Sequence, residues 1–535
     1  MKDKLRMIII DAIDADIKLE DILVEIPKEK ENGDYSTNIA MKLSKLLHDS
    51  PLNIANKIVA NISNTDISKM EIKGPGFINF FVKKDYLIDN LNEALKLGDN
   101  YGRSDIGNHR KINIEYVSAN PTGILHLGHA RGASIGDSLS RIMSFAGFDI
   151  TREYYINDAG NQMNNLGKSI KIRYLNLCGI DEELEEGLYH GKEIIEIAKT
   201  LYEKHNNSLI DKEISYFKQL GLEILLEEIK SDLKLINVEF DIYSSEQSLY
   251  DTNKVINAFN SLKEKGYTYE LDGATWLKTS LFGDEKDRVL IKNDSNNTYL
   301  LPDIAYHMDK INRGYDELID ILGADHHGYI DRLKASIQMM GEDPKKISIL
   351  ILQMVRLIKD NEEVKMSKRT GKAVTINEFV KEVGKDPIRY FFAAKAMDTQ
   401  MDFDMDLALT KSNENPVFYI NYAHARICSI LRDKKDIDLN DKKIVATYSK
   451  NAYNVLDVIY RFKETVENAA LKKETHIITN YLYLLASTFH SYYASELIIT
   501  DNIEETVMRL RLIMAVKITI KNALNLLGID AYEKM

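Results

Sequence analysis

The sequence predicts a doubly wound (Rossmann-type) α/β domain with a parallel sheet, preceded by a small α/β domain and followed by an all-α helical bundle. Three observations carry that prediction. Ile112, Ile114 and Tyr116 alternate with Asn113 and Glu115; after a break at Asn120-Pro121-Thr122-Gly123 the pattern turns helical from about Gly128, then extended again over residues 150–156. A short apolar run, 318–322, ends in Gly323-Ala324-Asp325, as a second buried strand would. From about residue 406 strand signal disappears, and Leu482, Leu485, Phe489 and Tyr492 step by three and four, the stripe of an amphipathic helix.

In chain order, residues 1–95 read as a separate domain. Helix-like stretches at 17–26 and 38–47 flank the turn Gly33-Asp34-Tyr35-Ser36, and Gly74-Pro75-Gly76 precedes the strand-like residues 77–82. Residues 96–405 form the doubly wound domain. Within it, Gly128, Gly132 and Gly136 make one smooth helix stripe and Gly147 a helix stop. Residues 180–295 read as an insertion between the two halves of the sheet; their acidic run 181–186 is a solvated surface. Residues 294–297 read as a hairpin turn, and 406–535 as four or more helices.

Composition sets bounds on function. A chain of 535 residues with 44% hydrophobic and 28% charged residues is ordinary for a globular protein of two to four domains. It has no run of eighteen apolar residues, so no membrane span is expected. Its two cysteines, Cys178 and Cys428, imply a reducing compartment, the cytoplasm, with no disulfide framework and no structural zinc. The net charge of −12 argues mildly against nucleic acid, but local patches decide. One such patch is 506–529, with Arg509, Arg511, Lys517, Lys521 and no acid.

The candidate chemistry sits in three loops. His126 and His129 share a face at a helix start, where ring N–H groups and the helix N-terminus suit phosphate, although packing or metal binding would use the same spacing. Gly128 between them leaves room for a flat base. Asp325, just past a buried strand, suits ribose hydroxyls or a helix cap. His326 and His327 have no third ligand nearby, so no metal site is expected. From Arg356 to Lys372 there are six basic residues and three acidic ones; Lys365 and Lys368 suit phosphate as point charges, although a basic loop is usually just solvated.

The run from Glu115 to His129 resembles the signature of class I aminoacyl-tRNA synthetases, and its Ser118-Ala119-Asn120-Pro121-Thr122-Gly123 lead-in resembles the bacterial arginyl-tRNA synthetase form. Lys365-Met366-Ser367-Lys368 is similar to the class's basic loop letter for letter, with Arg369 as a family variant. Residues 33–38, 74–79, 157–162, 415–419, 422–427 and 527–529 resemble further family segments, so the likeness spans the chain. It implies ATP-dependent arginine activation and transfer to tRNA(Arg), with Mg2+ accompanying ATP, by a monomer. Catalysis falls to His126, His129, Lys365 and Lys368. ATP falls to Ala119, Asn120, Pro121, Thr122, Gly123, Gly128, Gly323, Asp325, Met366 and Ser367 beside the histidines and Lys368. Arginine falls to Glu115, Ser118, Asn120, Tyr299, Asp303 and His327, and tRNA to Tyr35, Asn79, Tyr422, Arg426, Arg509 and Arg511. The first domain would contact the tRNA elbow and the bundle the anticodon, and activation would require tRNA. A different class I enzyme, such as a cysteinyl synthetase, is disfavoured by the missing zinc-ligand cysteines. A non-catalytic RNA-binding relative is disfavoured by the intact motifs.

Overall fold

The computed structural model describes residues 1–535 except 14, 16, 28, 365–373 and 440–447, and except the side chains of Lys30, His326 and His327. The chain forms two compact units, Met1–Lys96 with Thr447–Tyr460, and Leu97–Ala446 with Arg461–Met535.

In the first unit, helix α1 (Lys2–Asp11), strand β1 (Tyr35–Thr37), helices α2 (Ile39–Leu47) and α3 (Pro51–Asn61), strands β2 (Ile67–Lys73) and β3 (Phe77–Val82) and helix α4 (Asp85–Leu97) follow one another. The three strands make an antiparallel sheet in the order β1-β3-β2. Leu5, Ile9, Ile39, Leu43, Ile54, Ile58, Ile78 and Phe80 close its core. The helix expected at 17–26 is not formed beyond a 3-10 turn at Leu19–Asp21. Ile22 and Val24 are buried while Leu23 and Glu25 are exposed, and Glu25 pairs with Ser36, so tertiary pairing imposes a period of two on an apolar stretch that also fits a helix. A helix from late in the chain, Lys450–Tyr460, groups with this unit, its Tyr460 ring set edge-on against Tyr86.

The second unit is built on β4 (Lys111–Glu115), α5 (Leu127–Phe145) and β5 (Asp149–Ile156). Helices α6 (Gly160–Leu177), α7 (Lys192–His205) and α8 (Ile214–Leu235) pack on one another around Met163, Ile170, Tyr174, Ile194 and Phe217. Strand β6 (Ile242–Ser245) then returns to pair with β5, so the stretch 180–295 does not lie wholly outside the sheet; four residues of mixed polarity are too short to signal an edge strand. After α9 (Glu246–Asp251) and α10 (Lys254–Glu264), strands β7 (Thr268–Leu271), β8 (Ala274–Leu277) and β9 (Arg288–Ile291) form a small antiparallel sheet, and residues 292–297 make the turn before α11 (Leu300–Asn312). Strand β10 (Glu317–Gly323), helix α12 (Ile330–Met340) and strand β11 (Ile347–Leu352) complete the parallel sheet, in the order β11-β10-β4-β5-β6. The chain winds outward from β4 through β5 to β6, then resumes on β4's other side with β10. The strand order therefore reverses between β4 and β10, where doubly wound sheets open a ligand crevice.

Strands β12 (Val355–Lys359), β13 (Glu362–Glu363) and β14 (Met401–Asp404) form a third small sheet, with α13 (Ile376–Val383) and α14 (Lys385–Ala393) between the last two. Helix α15 (Met405–Leu409) leads to α16 (Pro416–Asp433); past Lys450–Tyr460 (α17), helices α18 (Phe462–Lys472), α19 (His476–Ser495) and α20 (Ile503–Leu526) complete the helical region. The predicted stripe, Leu482, Leu485, Phe489 and Tyr492, is buried on α19.

Helix α5 is buried along most of its length, which its small residues permit. A Cβ on Gly136 would lie 2.3 Å from Cγ of Tyr116, whereas one on Gly132 would meet only Leu352 Cδ2 at 3.4 Å. Asp137 on the same helix is fully buried against Arg389 of α14 at 2.6 Å, and Arg389 also donates to the carbonyls of Ile236 and Leu527. Gly136→Ala should therefore cost about 1–3 kcal/mol or more through overpacking and lower the melting temperature clearly, while Gly132→Ala should leave it nearly unchanged. Thermal melts by circular dichroism compare them; equal melting of the two would disprove the Tyr116 contact as the constraint.

Candidate functional site

The crevice at the β4/β10 reversal is a cleft of about 1300 Å³. It is lined by Glu115, Ser118, Ala119, Asn120, His126, Gly128, His129, Tyr299, Asp303, Gly323 and Asp325, residues drawn from the loops after β4 and β10 and the start of α11. Pro121, Thr122 and Gly123 do not line it. Lys365, Met366, Ser367 and Lys368 lie outside the described residues, as does the side chain of His327, but Val364 and Val374, which bracket the basic segment, both line the cleft.

The loop after β4 leaves the strand through an unusual turn. Val117 (φ 69°) and Ser118 (φ 37°) are both left-handed, a conformation a β-branched residue adopts only under constraint, at a cost of order 1–3 kcal/mol. The constraint is local. The Ser118 N–H bonds the Tyr116 carbonyl at 3.0 Å; the Ser118 hydroxyl donates to Glu115 Oε1 at 2.9 Å and accepts the Tyr155 N–H at 3.1 Å. The Tyr154 hydroxyl holds the Ala119 carbonyl at 2.8 Å.

The two histidines cap α5 with their rings. Gly128 N–H donates to His126 Nδ1, and His126 N–H donates to His129 Nδ1, each at 3.2 Å. Both Nδ1 atoms are thus acceptors, so each neutral ring carries its proton on Nε2. Burial lowers the pKa of His126, and burial together with His126 lowers that of His129 to about 4. The pair is neutral at physiological pH, and its remaining polar atoms are two Nε2–H donors. His126 also pairs with Thr375, just beyond the basic segment. Arg131, one turn into α5 and fully buried, donates to the carbonyls of Gln353, Met354, Ala396 and Thr399, tying the helix to another wall of the cleft.

At the other end the cleft is acidic. Asp320, Glu115 and Glu153 stand in register on β10, β4 and β5, three carboxylates side by side on adjacent strands. Helix α11 lays its cations over them. Lys310 Nζ, fully buried, lies 2.5 Å from Glu115 Oε2 and 2.8 Å from Asp320 Oδ1. His307 Nε2 lies 2.8 Å from Asp320 Oδ2, and Arg313 bonds Glu153 at 2.8 Å, next to the Tyr306 hydroxyl. Burial works against the charge of Asp320, but Lys310 and His307 outweigh it and hold its carboxyl well below the usual range. Asp303, near the start of α11, accepts from the Tyr329 hydroxyl; burial pushes it up to about 6, with Tyr329 and His307 opposing the rise. Glu246, also lining the cleft, is pushed to about 7 by burial, with Asp303 and Asp158 adding to the rise. Among the described residues neither of these two carboxyls is in an ion pair.

Sequence reasoning missed Lys310, His307, Asp320, Tyr329 and Glu246. Asp303, His307 and Lys310 are spaced i, i+4, i+7 on α11, a polar stripe on an otherwise apolar helix, and that signal was available. The partners of Lys310 on two different strands were not.

The remaining expected contacts are elsewhere. Tyr35 and Asn79 are each 3% exposed, and Asn79 accepts from the Ser36 hydroxyl at 2.7 Å, so their side chains shape the first sheet rather than reach a surface. Tyr422 stacks on Phe418 at 6.1 Å, and the Arg426 guanidinium lies over the Tyr422 and Tyr493 rings. Arg509 pairs with Glu505, Arg511 donates to the Leu439 carbonyl, Lys517 faces Glu533 and Lys521 bonds Asp99 at 2.8 Å. Three of the four cations of the run that reads as basic thus face an acid outside it: Glu505 one turn earlier on the same helix, Glu533 near the chain end, and the distant Asp99. Among the described residues no group of three or more His, Cys, Asp or Glu could hold a metal ion, and no helix is long and apolar enough to cross a membrane.

Comparison with known proteins gives three matching family models: the arginyl tRNA synthetase N-terminal domain over residues 1–82, the class I (R) tRNA synthetase catalytic domain over 90–398, and the DALR anticodon binding domain over 420–535. The chain is 49% identical to the arginine–tRNA ligase of Geobacillus kaustophilus, covering 100% of this chain and 98% of that one, and 47% identical to that of Bacillus subtilis with the same coverage. Among solved structures, a putative arginyl-tRNA synthetase from Campylobacter jejuni matches with a TM-score of 0.79 at 37% identity, over 85% of this chain and 100% of that one. The Thermus thermophilus arginyl-tRNA synthetase shares the fold, with a TM-score of 0.77 at 20% identity over 100% of both.

The raised carboxyls predict a stability signature. A carboxyl whose folded pKa exceeds its unfolded value stabilises the fold at low pH, and that contribution is lost as pH rises through the folded value, here between about 4 and 7. Asp303→Asn/Glu246→Gln should therefore raise the melting temperature of the ligand-free protein more at pH 8 than at pH 5. An equal gain at both pH values would show that the two groups do not titrate this way.

Proposed function

The chain belongs to the class I arginyl-tRNA synthetases, and from that premise we propose that the cleft over the β4/β10 reversal is where arginine and ATP meet. The protein is an arginine–tRNA ligase. The arginine carboxylate attacks the α-phosphorus of ATP, pyrophosphate leaves, and the resulting arginyl-adenylate passes its arginyl group to the terminal adenosine of tRNA(Arg), releasing AMP. Neither step requires a protein nucleophile, so catalysis consists of positioning and of stabilising charge on phosphate.

In this reading His126 and His129 donate Nε2–H to the phosphates from the N-terminus of α5, and Lys365 and Lys368 bring positive charge to them. Support comes from the neutral, doubly capped histidines and from the cleft-lining ends of the basic segment. Adenine rests over Gly128, and ribose meets Gly323 and Asp325. Mg2+ arrives on the phosphates of ATP; Glu115 and Asp320 are already engaged by Lys310, which suits a metal held mainly by its substrate. When bound, it would neutralise phosphate charge. The guanidinium lies at the acidic end, near Glu115, Asp303 and Tyr299, with Ser118 and Asn120 toward the amino-acid backbone. The observation that carries this is Asp303, a buried carboxyl in no ion pair among the described residues, in a wall where Glu115 and Asp320 are already paired with Lys310. Tyr422 and Arg426 serve the anticodon from the stacked face of α16, and the first unit serves the tRNA elbow. The enzyme works as a monomer in the cytoplasm.

Lysine cannot bridge carboxylates in a planar fork, and citrulline leaves them unpaired, so selection needs no editing site. Asp303→Asn keeps shape and removes charge. It should weaken arginine kcat/KM by about 2–5 kcal/mol, the cost of breaking a buried charge pair, with little change in the KM for ATP. Pyrophosphate exchange, which should itself require tRNA, measures both. Unchanged arginine kcat/KM in this variant would move the pocket elsewhere.

A further inference from the structure

The register of the sheet raises a problem that Lys310 answers. Glu115 and Asp320 are direct neighbours on adjacent parallel strands, both almost fully buried, and Glu153 follows on the next strand. Strands of a sheet lie about 4.8 Å apart, and two carboxylates that close, away from water, cannot both ionise without a cation. Glu153 has its own, Arg313. Glu115 and Asp320 share Lys310, whose ammonium bridges them from behind the cleft without lining it.

We propose that Lys310 is a positioning residue for arginine recognition: it lets Glu115 and Asp320 carry charge together, so that Glu115 faces the guanidinium as a carboxylate while its other oxygen holds the Ser118 turn. The proposal rests on the reading of Glu115 as an arginine-facing group. The other charged or titratable groups around the pair are Tyr306, His307, Asp303 and Arg313 from α11 and just beyond it, Glu153 from β5, and Tyr155 beside Ser118. Arg313 is committed to Glu153 and Asp309, and His307 spans the Asp303 carbonyl and Asp320, which leaves Lys310 as the cation on Glu115 among the described residues.

The step is one of protonation. Without the ammonium, His307 still faces Asp320 but no described cation faces Glu115, so the repulsion between the neighbouring carboxylates favours one shared proton and takes charge from Glu115. Raising the pH removes that proton and restores the charge. A residue that merely supports the fold would give a defect insensitive to pH.

The test is the pH profile of arginine KM in Lys310→Met, measured by tRNA-dependent pyrophosphate exchange. The expected result is a KM raised at least about tenfold at pH 7 and converging on wild type by about pH 9, with ATP KM within about twofold throughout. A normal KM at pH 7, or a defect of equal size at both pH values, would overturn the proposal. If Lys310→Met does not fold, Asp320→Asn/Lys310→Met is compared with Asp320→Asn. With only one carboxylate left, adding the lysine change should raise arginine KM less than about threefold, and an added tenfold rise would overturn it. Glu115→Gln separates this proposal from the reading beneath it. An unaltered arginine KM there would sink the assignment of Glu115 itself. A raised one, beside a normal Lys310→Met, would sink the role of Lys310 alone.

Discussion

Three carboxylates in register across β10, β4 and β5 are the constraint on which the catalytic unit depends. Like charges on adjacent strands repel, and in a buried sheet the repulsion is little screened. The fold answers by laying α11 across that face with Tyr306, His307 and Lys310, and Arg313 just beyond its end. Removing one partner from such a set strands a buried charge, which costs far more than the intact set contributes. The arrangement is therefore better understood as specifying a site than as stabilising a fold. It fixes which acids are neutralised internally and leaves Asp303 and Glu246 for a cation from outside.

The same face of β4 determines the geometry of the loop that follows it. Glu115 offers one oxygen to Lys310 and the other to Ser118, and Ser118 is thereby held in a turn that its backbone alone would avoid. From that turn the chain passes over Ala119 and Asn120 to the histidine cap of α5. Charge network, strained turn and helix cap are thus consecutive links, and the acidic and histidine-capped ends of the cleft are joined through one short stretch of chain.

Helix α5 carries the other long-range connection. Its first turn presents the histidines. Its second holds Arg131, clamped on the β11–β12 wall, and its third holds Gly136 against Tyr116 and Asp137 against Arg389. Arg389 in turn binds the carbonyl of Leu527 at the end of α20. One element therefore runs from the histidine cap to the last helix of the chain.

Much of this was legible in the sequence. The strand–loop–helix–strand unit, the second apolar run before Gly323 and the helical tail are local patterns, and local patterns survive in one dimension. The histidine pair was legible at a helix start, whereas Asp303 and the basic segment were singled out by family resemblance, and most of that segment's basic residues lie outside the described residues. What failed did so mainly for tertiary reasons: residues 22–25 are extended where Glu25 pairs with Ser36, four residues of 180–295 are an edge strand because β5 accepts them, and Lys521 and Lys517 of the basic run face Asp99 and Glu533, while Arg509 pairs with Glu505 one turn earlier on α20. Tyr35 and Asn79 belong to a motif but are buried. The alternation at 112–116 identified a strand correctly, yet it could not say that the polar side is as buried as the apolar one. That depended on register between strands more than two hundred residues apart and on the cations of α11, and no reading along the chain contains a distance across it.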